Sequence, residues 1–335
     1  MQNDYNGGRW QPSPAAPYSY DYYAQREAES ALLRRHANGV GLCIIVYFAL
    51  QYVFTLFLMV SSGLTLYQNN VAFFHAVNAV YFSLLSLFVP FLVFSLRRGS
   101  PSYIEVLPLS APKNKRIAVL VLLGAFGVCM VSNYVAGFIS ELIQSAGLVE
   151  TDTTPRLSAD ALSFALNVLS TAAMPALTEE FVFRGVIMQP LRRYGEHFAV
   201  FSSAFLFALA HGTVTGFAFA FLVGLALGYT AVFTGSLWPG VIVHFLNNFY
   251  AVVVTDLDSI APHAANLLSS IVVYGGLFFG VGSIVFLIMS RSIHFQKSRL
   301  KDLMKGKRFK SFFLSVPMLI AIAMFVVTIF VLNLK

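Results

Sequence analysis

Long apolar runs constrain the fold of this 335-residue chain more than any other feature. A helix needs about 20 mainly apolar residues to cross a lipid bilayer. Runs of about that length fall near residues 39–60, 74–96, 117–141, 161–190, 215–234, 238–256, 265–290 and 312–333, and a shorter one falls near 197–213. The sequence therefore predicts an all-α polytopic integral membrane protein with about nine transmembrane helices.

Composition supports the same class. The chain is 57% hydrophobic and only 11% charged, against roughly 25% charged residues in a typical soluble domain. Its net charge of +7 does not indicate nucleic-acid binding, because no recognition motif accompanies it and eight of the 22 Lys and Arg residues lie between Arg291 and Lys310. We interpret that run as a solvated cytoplasmic loop that rests on anionic lipid.

The chain divides into four regions by composition. Residues rich in Gly, Pro, Tyr and Gln predict a disordered cytoplasmic tail at the N-terminus. Segment 97–116, which three prolines interrupt, is expected to be an interfacial connection. The expected regions are the tail at 1–38, N-terminal membrane spans at 39–150, a core at 160–255, and C-terminal spans at 260–335 with the basic cytoplasmic loop 291–310.

The distribution of Lys and Arg predicts the topology. With nine spans, the basic residues that follow alternate spans all lie on one side, which the positive-inside rule assigns to the cytoplasm. The acidic segments near 141–160 and 256–258 lie on the other side. We expect a multi-pass protein of the cell membrane with a cytoplasmic N-terminus.

The interiors of the predicted spans contain only three charged residues, Glu179, Glu180 and Arg184. Ionised groups at membrane depth are costly and normally mark a functional site. On a helix, Glu180 and Arg184 share a face, so the guanidinium can pair with that carboxylate. Adjacent carboxylates repel each other, which suits one of them to take a proton from water as a general base. A purely structural salt bridge is the alternative, but one Arg does not neutralise two buried carboxylates.

Two later apolar segments add the polar residues His211, His244 and Asn248. With Glu180, the two histidines could bind zinc and leave a fourth position open. They could equally form a metal-free site in which a glutamate activates water while His211, His244 and Asn248 stabilise an oxyanion. The strongest local zinc-protease signature, His-Glu-x-x-His, is absent from the sequence. Spacing leaves both alternatives open, and no cofactor other than zinc is indicated.

These residues form an ordered series of motifs: Glu179-Glu180-x-x-x-Arg184, Phe207-x-x-x-His211, and His244-x-x-x-Asn248 preceded by Thr234-Gly-Ser-Leu-Trp-Pro-Gly. The series resembles the intramembrane protease family, CPBP, that includes the type II CAAX prenyl endopeptidases and the bacteriocin-processing and immunity proteins. The resemblance covers roughly residues 160–255. It implies an all-helical core whose cavity opens toward the cytosol or into the bilayer, and hydrolysis by water that one glutamate activates.

The preferred hypothesis is an intramembrane endopeptidase that acts on a peptide or membrane-protein substrate. Glu180 is expected to be the general base with Arg184 as its support, while Glu179 places water or binds substrate. If zinc is bound, the protein is a metalloendopeptidase. A non-catalytic membrane scaffold or bacteriocin-immunity-type binding protein is the first alternative. A proton- or ion-coupled transporter is the second, which the lack of a visible repeat disfavours.

Overall fold

Helices make up nearly all of the described chain. The computed structural model describes residues 20–97, 107–150, 157–158, 160–295, 298–332 and 334. Within these ranges there is no β-strand, apart from an isolated bridge between Glu150 and Leu334. The helices are α1 (Tyr20–Val60), α2 (Gly63–Asn69), α3 (Val71–Ser95), α4 (Lys115–Ser145), α5 (Ala161–Tyr194), α6 (Glu196–Leu209), α7 (Val214–Thr234), α8 (Trp238–Ile260), α9 (Pro262–Met289), α10 (Arg299–Leu303), α11 (Arg308–Phe313) and α12 (Val316–Val331).

The predicted all-α membrane class is confirmed. In the described chain, seven helices are long and apolar enough to cross a bilayer: α1, α3, α4, α5, α7, α8 and α9. Helices α6 and α12 are apolar but shorter. The 14 residues of α6 extend only about 21 Å at 1.5 Å per residue, less than the ~30 Å hydrocarbon core. The protein is thus a multi-pass membrane protein, and the count of nine crossings stays a prediction.

The expectation of a disordered tail is wrong for residues 20–38, because α1 begins at Tyr20. Long-range contacts hold this part of α1 in place. Glu29 accepts hydrogen bonds from Arg193 at 2.8 Å and from the Tyr194 hydroxyl at 2.9 Å, and Glu27 pairs with Lys307. These partners come from distant parts of the chain, so local composition does not reveal them. Residues 1–19 of the predicted tail lie outside the described residues.

The described part of the basic loop, residues 291–295 and 298–310, contacts the rest of the protein at several points. Arg26 donates to the carbonyl of Lys305 at 2.8 Å, Arg308 donates to the carbonyl of Tyr194 at 2.9 Å, and the Ser298 hydroxyl contacts the carbonyl of Arg193. Among the charges of this loop, Arg308 and Lys307 therefore contact groups of the protein itself.

Two ends of the bundle can be defined from the connections between helices. At the basic end, Leu237 N donates to Pro108 O at 2.9 Å and Trp238 Nε1 donates to Leu109 O at 2.7 Å. This end comprises residues 20–38, 107–116, 192–196, 234–238, 291–295 and 298–310. The opposite end, which we call the distal end, comprises 144–150, 157–158, 160, 209–216 and 255–262.

Carboxylates organise the distal end. Glu150 accepts hydrogen bonds from the backbone N–H groups of Val214 and Thr215 and so caps α7. Asp160 caps α5 by accepting from Ser163 N at 2.7 Å, and this backbone hydrogen bond is the main cause that lowers the pKa of Asp160 from its ordinary value. These caps fix where α5, which carries Glu179, Glu180 and Arg184, and the neighbouring α7 begin.

Small residues let α6 and α7 approach each other closely. A Cβ on Gly228 would lie 2.8 Å from Val200 Cγ1, and one on Gly224 would lie 3.1 Å from Ala204 Cα. Small residues at such contacts are typical of packed membrane helices. The approach places the Gly224 carbonyl 3.5 Å from Arg184 Nη2, so the packing of α7 helps to position the charged residues of α5.

Candidate active site

The ion pair predicted from the sequence is present on α5. Arg184 Nη1 donates to Glu180 Oε1 at 2.8 Å, and the two side chains are 0% and 1% exposed. Over Glu180–Ile187 the main chain winds more widely than an α-helix, a departure that is frequent at functional sites. One wide turn separates the two residues, so the carboxylate and the guanidinium still meet.

His244 brings α8 to this pair. Its Nδ1 lies 3.1 Å from Glu180 Oε1. Because that oxygen belongs to a carboxylate paired with Arg184, we assign the hydrogen to Nδ1, which then donates. The other ring nitrogen, Nε2, lies 3.7 Å from Glu179 Oε2. The two adjacent glutamates therefore contact opposite nitrogens of one imidazole ring.

The two glutamates differ in accessibility. The Glu179 side chain is 24% exposed, whereas the Glu180 side chain is 1% exposed. Glu180 Oε2 is buried and has no hydrogen-bond partner among the described residues. A Cβ at Gly240 on α8 would lie 3.1 Å from that oxygen, so the glycine allows α8 to pass close to the carboxylate.

Phe207 connects the charged pair to both histidines. Its ring centroid lies 4.2 Å from Arg184 Cζ, 4.7 Å from the His211 ring and 5.9 Å from the His244 ring. A guanidinium over an aromatic face gains a cation–π attraction. No role was predicted for Phe207, although its spacing of four residues from His211 was a usable signal.

His211 lies just after the end of α6. Its Nδ1 is 2.9 Å from the Phe207 carbonyl. A carbonyl only accepts, so Nδ1 carries the hydrogen, and Nε2 of the neutral ring is left as an acceptor. That nitrogen can hold a water hydrogen, which is the function that a water-activating site requires.

Asn248 belongs to a chain of hydrogen-bonded polar side chains that was not predicted from the sequence. Its Nδ2 donates to the Thr171 carbonyl at 3.0 Å, and its Oδ1 accepts from Asn247 Nδ2 at 3.2 Å. On α5, Thr171 Oγ1 donates in turn to Asn167 Oδ1 at 2.9 Å. These bonds fix the direction of the Asn248 amide. The signal in the sequence was the polar pair Asn167 and Thr171, four residues apart in an apolar segment.

A cavity of about 920 Å³ adjoins these residues, near the upper limit of ~300–1,000 Å³ that is usual for ligand pockets. Two of the predicted site residues, His211 and Asn248, line this cavity. Its lining includes Thr171, His211, Asn247 and Asn248 on the inner wall, and Gln144, Glu150, Thr215 and Thr255 toward the distal end.

The predicted zinc site is not assembled among the described residues. In that part of the chain, no group of three or more His, Cys, Asp or Glu side chains is placed to hold a metal ion. Of the expected ligands, Glu180 uses Oε1 to accept from Arg184 and His244, whereas His211 and His244 direct Nδ1 to acceptors and keep Nε2 for another partner. We therefore derive no step through a metal, and the metalloendopeptidase description receives no support.

Comparison with known protein families gives one match. Residues 161–250 match the family described as type II CAAX prenyl endopeptidase Rce1-like. The match confirms, for this segment, the resemblance to the intramembrane protease family that the motifs predicted. Comparison with the curated proteins and with the solved structures gives no match. The matched segment holds all six predicted site residues: Glu179, Glu180, Arg184, His211, His244 and Asn248.

Proposed function

We propose that the protein is an intramembrane endopeptidase that hydrolyses a peptide bond with water activated by a glutamate. The observation that carries the proposal is the pair of unequal carboxylates, one buried in an ion pair and one accessible beside the same imidazole. Two neighbouring carboxylates with different environments, one buried and paired and the other accessible, are typical of sites that carry out acid–base chemistry. The match of this segment to an endopeptidase family supports the same reaction class.

Glu179 acts as the general base in this proposal, whereas the sequence favoured Glu180. Glu180 Oε1 already accepts hydrogen bonds from Arg184 and His244, and its side chain is buried. Glu179 is the more accessible carboxylate. A base must reach the proton that it removes, so geometry favours Glu179. Glu180 then orients Arg184 and His244.

The remaining residues have distinct roles. The water lies between the Glu179 carboxylate and Nε2 of His211, and it gives its proton to Glu179 as its oxygen bonds to the carbonyl carbon. An N–H of Asn248 stabilises the resulting oxyanion. The amine leaves with the proton held by Glu179. His244 contacts Glu180 through Nδ1 and Glu179 through Nε2, and so holds the two carboxylates in position.

Turnover by purified protein tests this function. The protein in detergent is incubated with a peptide library, and products are identified by mass spectrometry. We expect new termini with wild type, none with Glu179→Gln, and normal products with the control Asp258→Asn, which changes an exposed carboxylate on the same helix as His244. Absence of products with wild type, or equal products with Glu179→Gln, would contradict the proposal.

A further inference from the structure

The cavity beside the active site lies toward one end of the bundle. Its outer lining comes from the last turns of α4, the first turn of α7 and the last turns of α8, represented by Gln144, Thr215 and Thr255. The same end holds the bond from Glu150 to the start of α7 and the 3.1 Å bond from Ser158 N to Asp256. The mouth of the cavity is therefore at the distal end.

The other end carries the positive charge. Described Lys and Arg residues there include Lys115, Arg116, Arg192 and Arg193, together with those of the segment 291–310. The described charged residues at the distal end, Glu150, Asp160, Asp256 and Asp258, are all acidic, and so is Glu141 one turn before it. Membrane proteins retain their Lys- and Arg-rich connections in the cytoplasm. The charge asymmetry thus assigns the basic end to the cytoplasm and the distal end to the outside.

We propose that the active site takes its substrate from the extracytoplasmic side. Resting on the endopeptidase function proposed above, this inference names the substrate class: exported polypeptides, or the extracytoplasmic segments of membrane-anchored ones. It departs from the cytosolic opening that the family resemblance implied. The two observations that carry it, the position of the mouth and the distribution of charge, are independent of each other.

The residues that line the mouth indicate which kind of polypeptide segment can bind there. Among the described residues that line the cavity, none is Lys or Arg. The carboxylate of Glu150 is occupied by the backbone of α7, and the other polar groups toward the mouth, such as Ser140, Gln144 and Thr255, are uncharged. The cavity offers hydrogen bonds to a main chain but no cation to a free C-terminal carboxylate. An internal, uncharged segment of polypeptide fits it best.

Asn247 provides a contact for such a segment. It lines the inner wall and is 5% exposed, and its Oδ1 has no hydrogen-bond partner among the described residues. A buried acceptor without a partner is costly. A backbone N–H of the substrate would satisfy it one residue away from Asn248, which holds the oxyanion in the proposed mechanism.

Cysteine labelling tests the side of the mouth. The native cysteines, Cys43 and Cys129, are free but buried, so a membrane-impermeant charged maleimide should leave wild type unlabelled. We expect the exposed mouth variant Gln144→Cys to react in intact cells, and the exposed basic-end variant Lys301→Cys to react only after permeabilisation. The reverse pattern would overturn the proposal.

Cleavage by oriented vesicles tests the side of substrate entry. A soluble peptide that the detergent-purified protein cleaves is added to sealed right-side-out and inside-out vesicles. We expect cleavage by right-side-out vesicles, and cleavage by inside-out vesicles only after detergent is added. Cleavage by intact inside-out vesicles alone would refute entry from outside. If the detergent-purified protein cleaves no peptide at all, the endopeptidase function fails, and the labelling pattern alone decides the side of the mouth.

Discussion

His244 Nδ1 lies 3.1 Å from Glu180 Oε1, and this contact joins α8 to α5 at the charged centre of the protein. It gives the buried glutamate a second partner besides Arg184. It also fixes which ring nitrogen carries hydrogen, so that Nε2 is directed to Glu179. As a result, the adjacent carboxylates of Glu179 and Glu180 contact different nitrogens of His244 and have different environments.

The ion pair of Glu180 with Arg184 is expected to stabilise the fold. Replacing Arg184 with Gln leaves a buried carboxylate without its cation, a change that costs about 3–5 kcal/mol at buried pairs. Thermal unfolding in detergent should show a clear loss of Tm. The matched control is Arg193→Gln, since Arg193 is 41% exposed in its pair with Glu29 and such pairs contribute about 0–1 kcal/mol. Equal Tm values for the two variants would contradict this assignment.

Phe207 is expected to support catalysis by holding Arg184 and the two histidines. Phe207→Leu keeps an apolar side chain but removes the ring face, whose interaction with a cation contributes about 0.5–2 kcal/mol. We expect kcat/KM to fall roughly 2- to 30-fold. Phe201→Leu, at a 41% exposed position of the same helix, should leave kcat/KM unchanged. A similar loss in both variants would show that ring contacts at the site are not responsible.

Activity is expected to require glycine at position 240, because a larger residue would contact the Glu180 carboxylate. In Gly240→Ala the new methyl group would lie 3.1 Å from Glu180 Oε2, closer than ordinary carbon–oxygen contact, so the carboxylate must shift. Activity in the peptide assay should fall. Gly282→Ala is the control, because a Cβ there meets no atom within 4 Å, and it should retain wild-type activity. Full activity in Gly240→Ala would mean that the position of Glu180 is not critical.

Metal content provides an independent test of the mechanism. A glutamate-activated water predicts that a strong chelator leaves the rate unchanged and that active protein contains no stoichiometric zinc. A zinc site with ligands from His211 and His244 would lose its ion and its activity together. Elemental analysis of active protein distinguishes the two. About one zinc per chain, lost with activity and regained on adding zinc, would overturn the metal-free mechanism.

The sequence was most informative where the signal was local. Apolar length predicted the class of fold, and the spacing of four residues predicted the pair of Glu180 with Arg184. The helical state of residues 20–38 was not predictable in this way, because it depends on contacts of Glu27 and Glu29 with partners more than 160 residues distant.

The roles within the site also depended on tertiary packing. Glu179 and Glu180 are adjacent and chemically identical, so only the packing of α8 against α5 makes one accessible and the other buried. The same holds for Asn167 and Thr171, whose link to Asn248 crosses between these helices. The periodicity of a helix indicates which of its faces is polar, but it does not indicate against which other helix that face packs.

The rate of Glu179→Gln at saturating peptide, measured by mass spectrometry together with its Tm, tests the account most directly. The amide keeps the shape of the side chain but does not accept the proton, and loss of a general base typically lowers the rate by ~10²- to 10⁴-fold. We predict that loss with an unchanged Tm, whereas Glu180→Gln should lose both rate and Tm. A Glu179→Gln protein that cleaves at the wild-type rate would contradict the account.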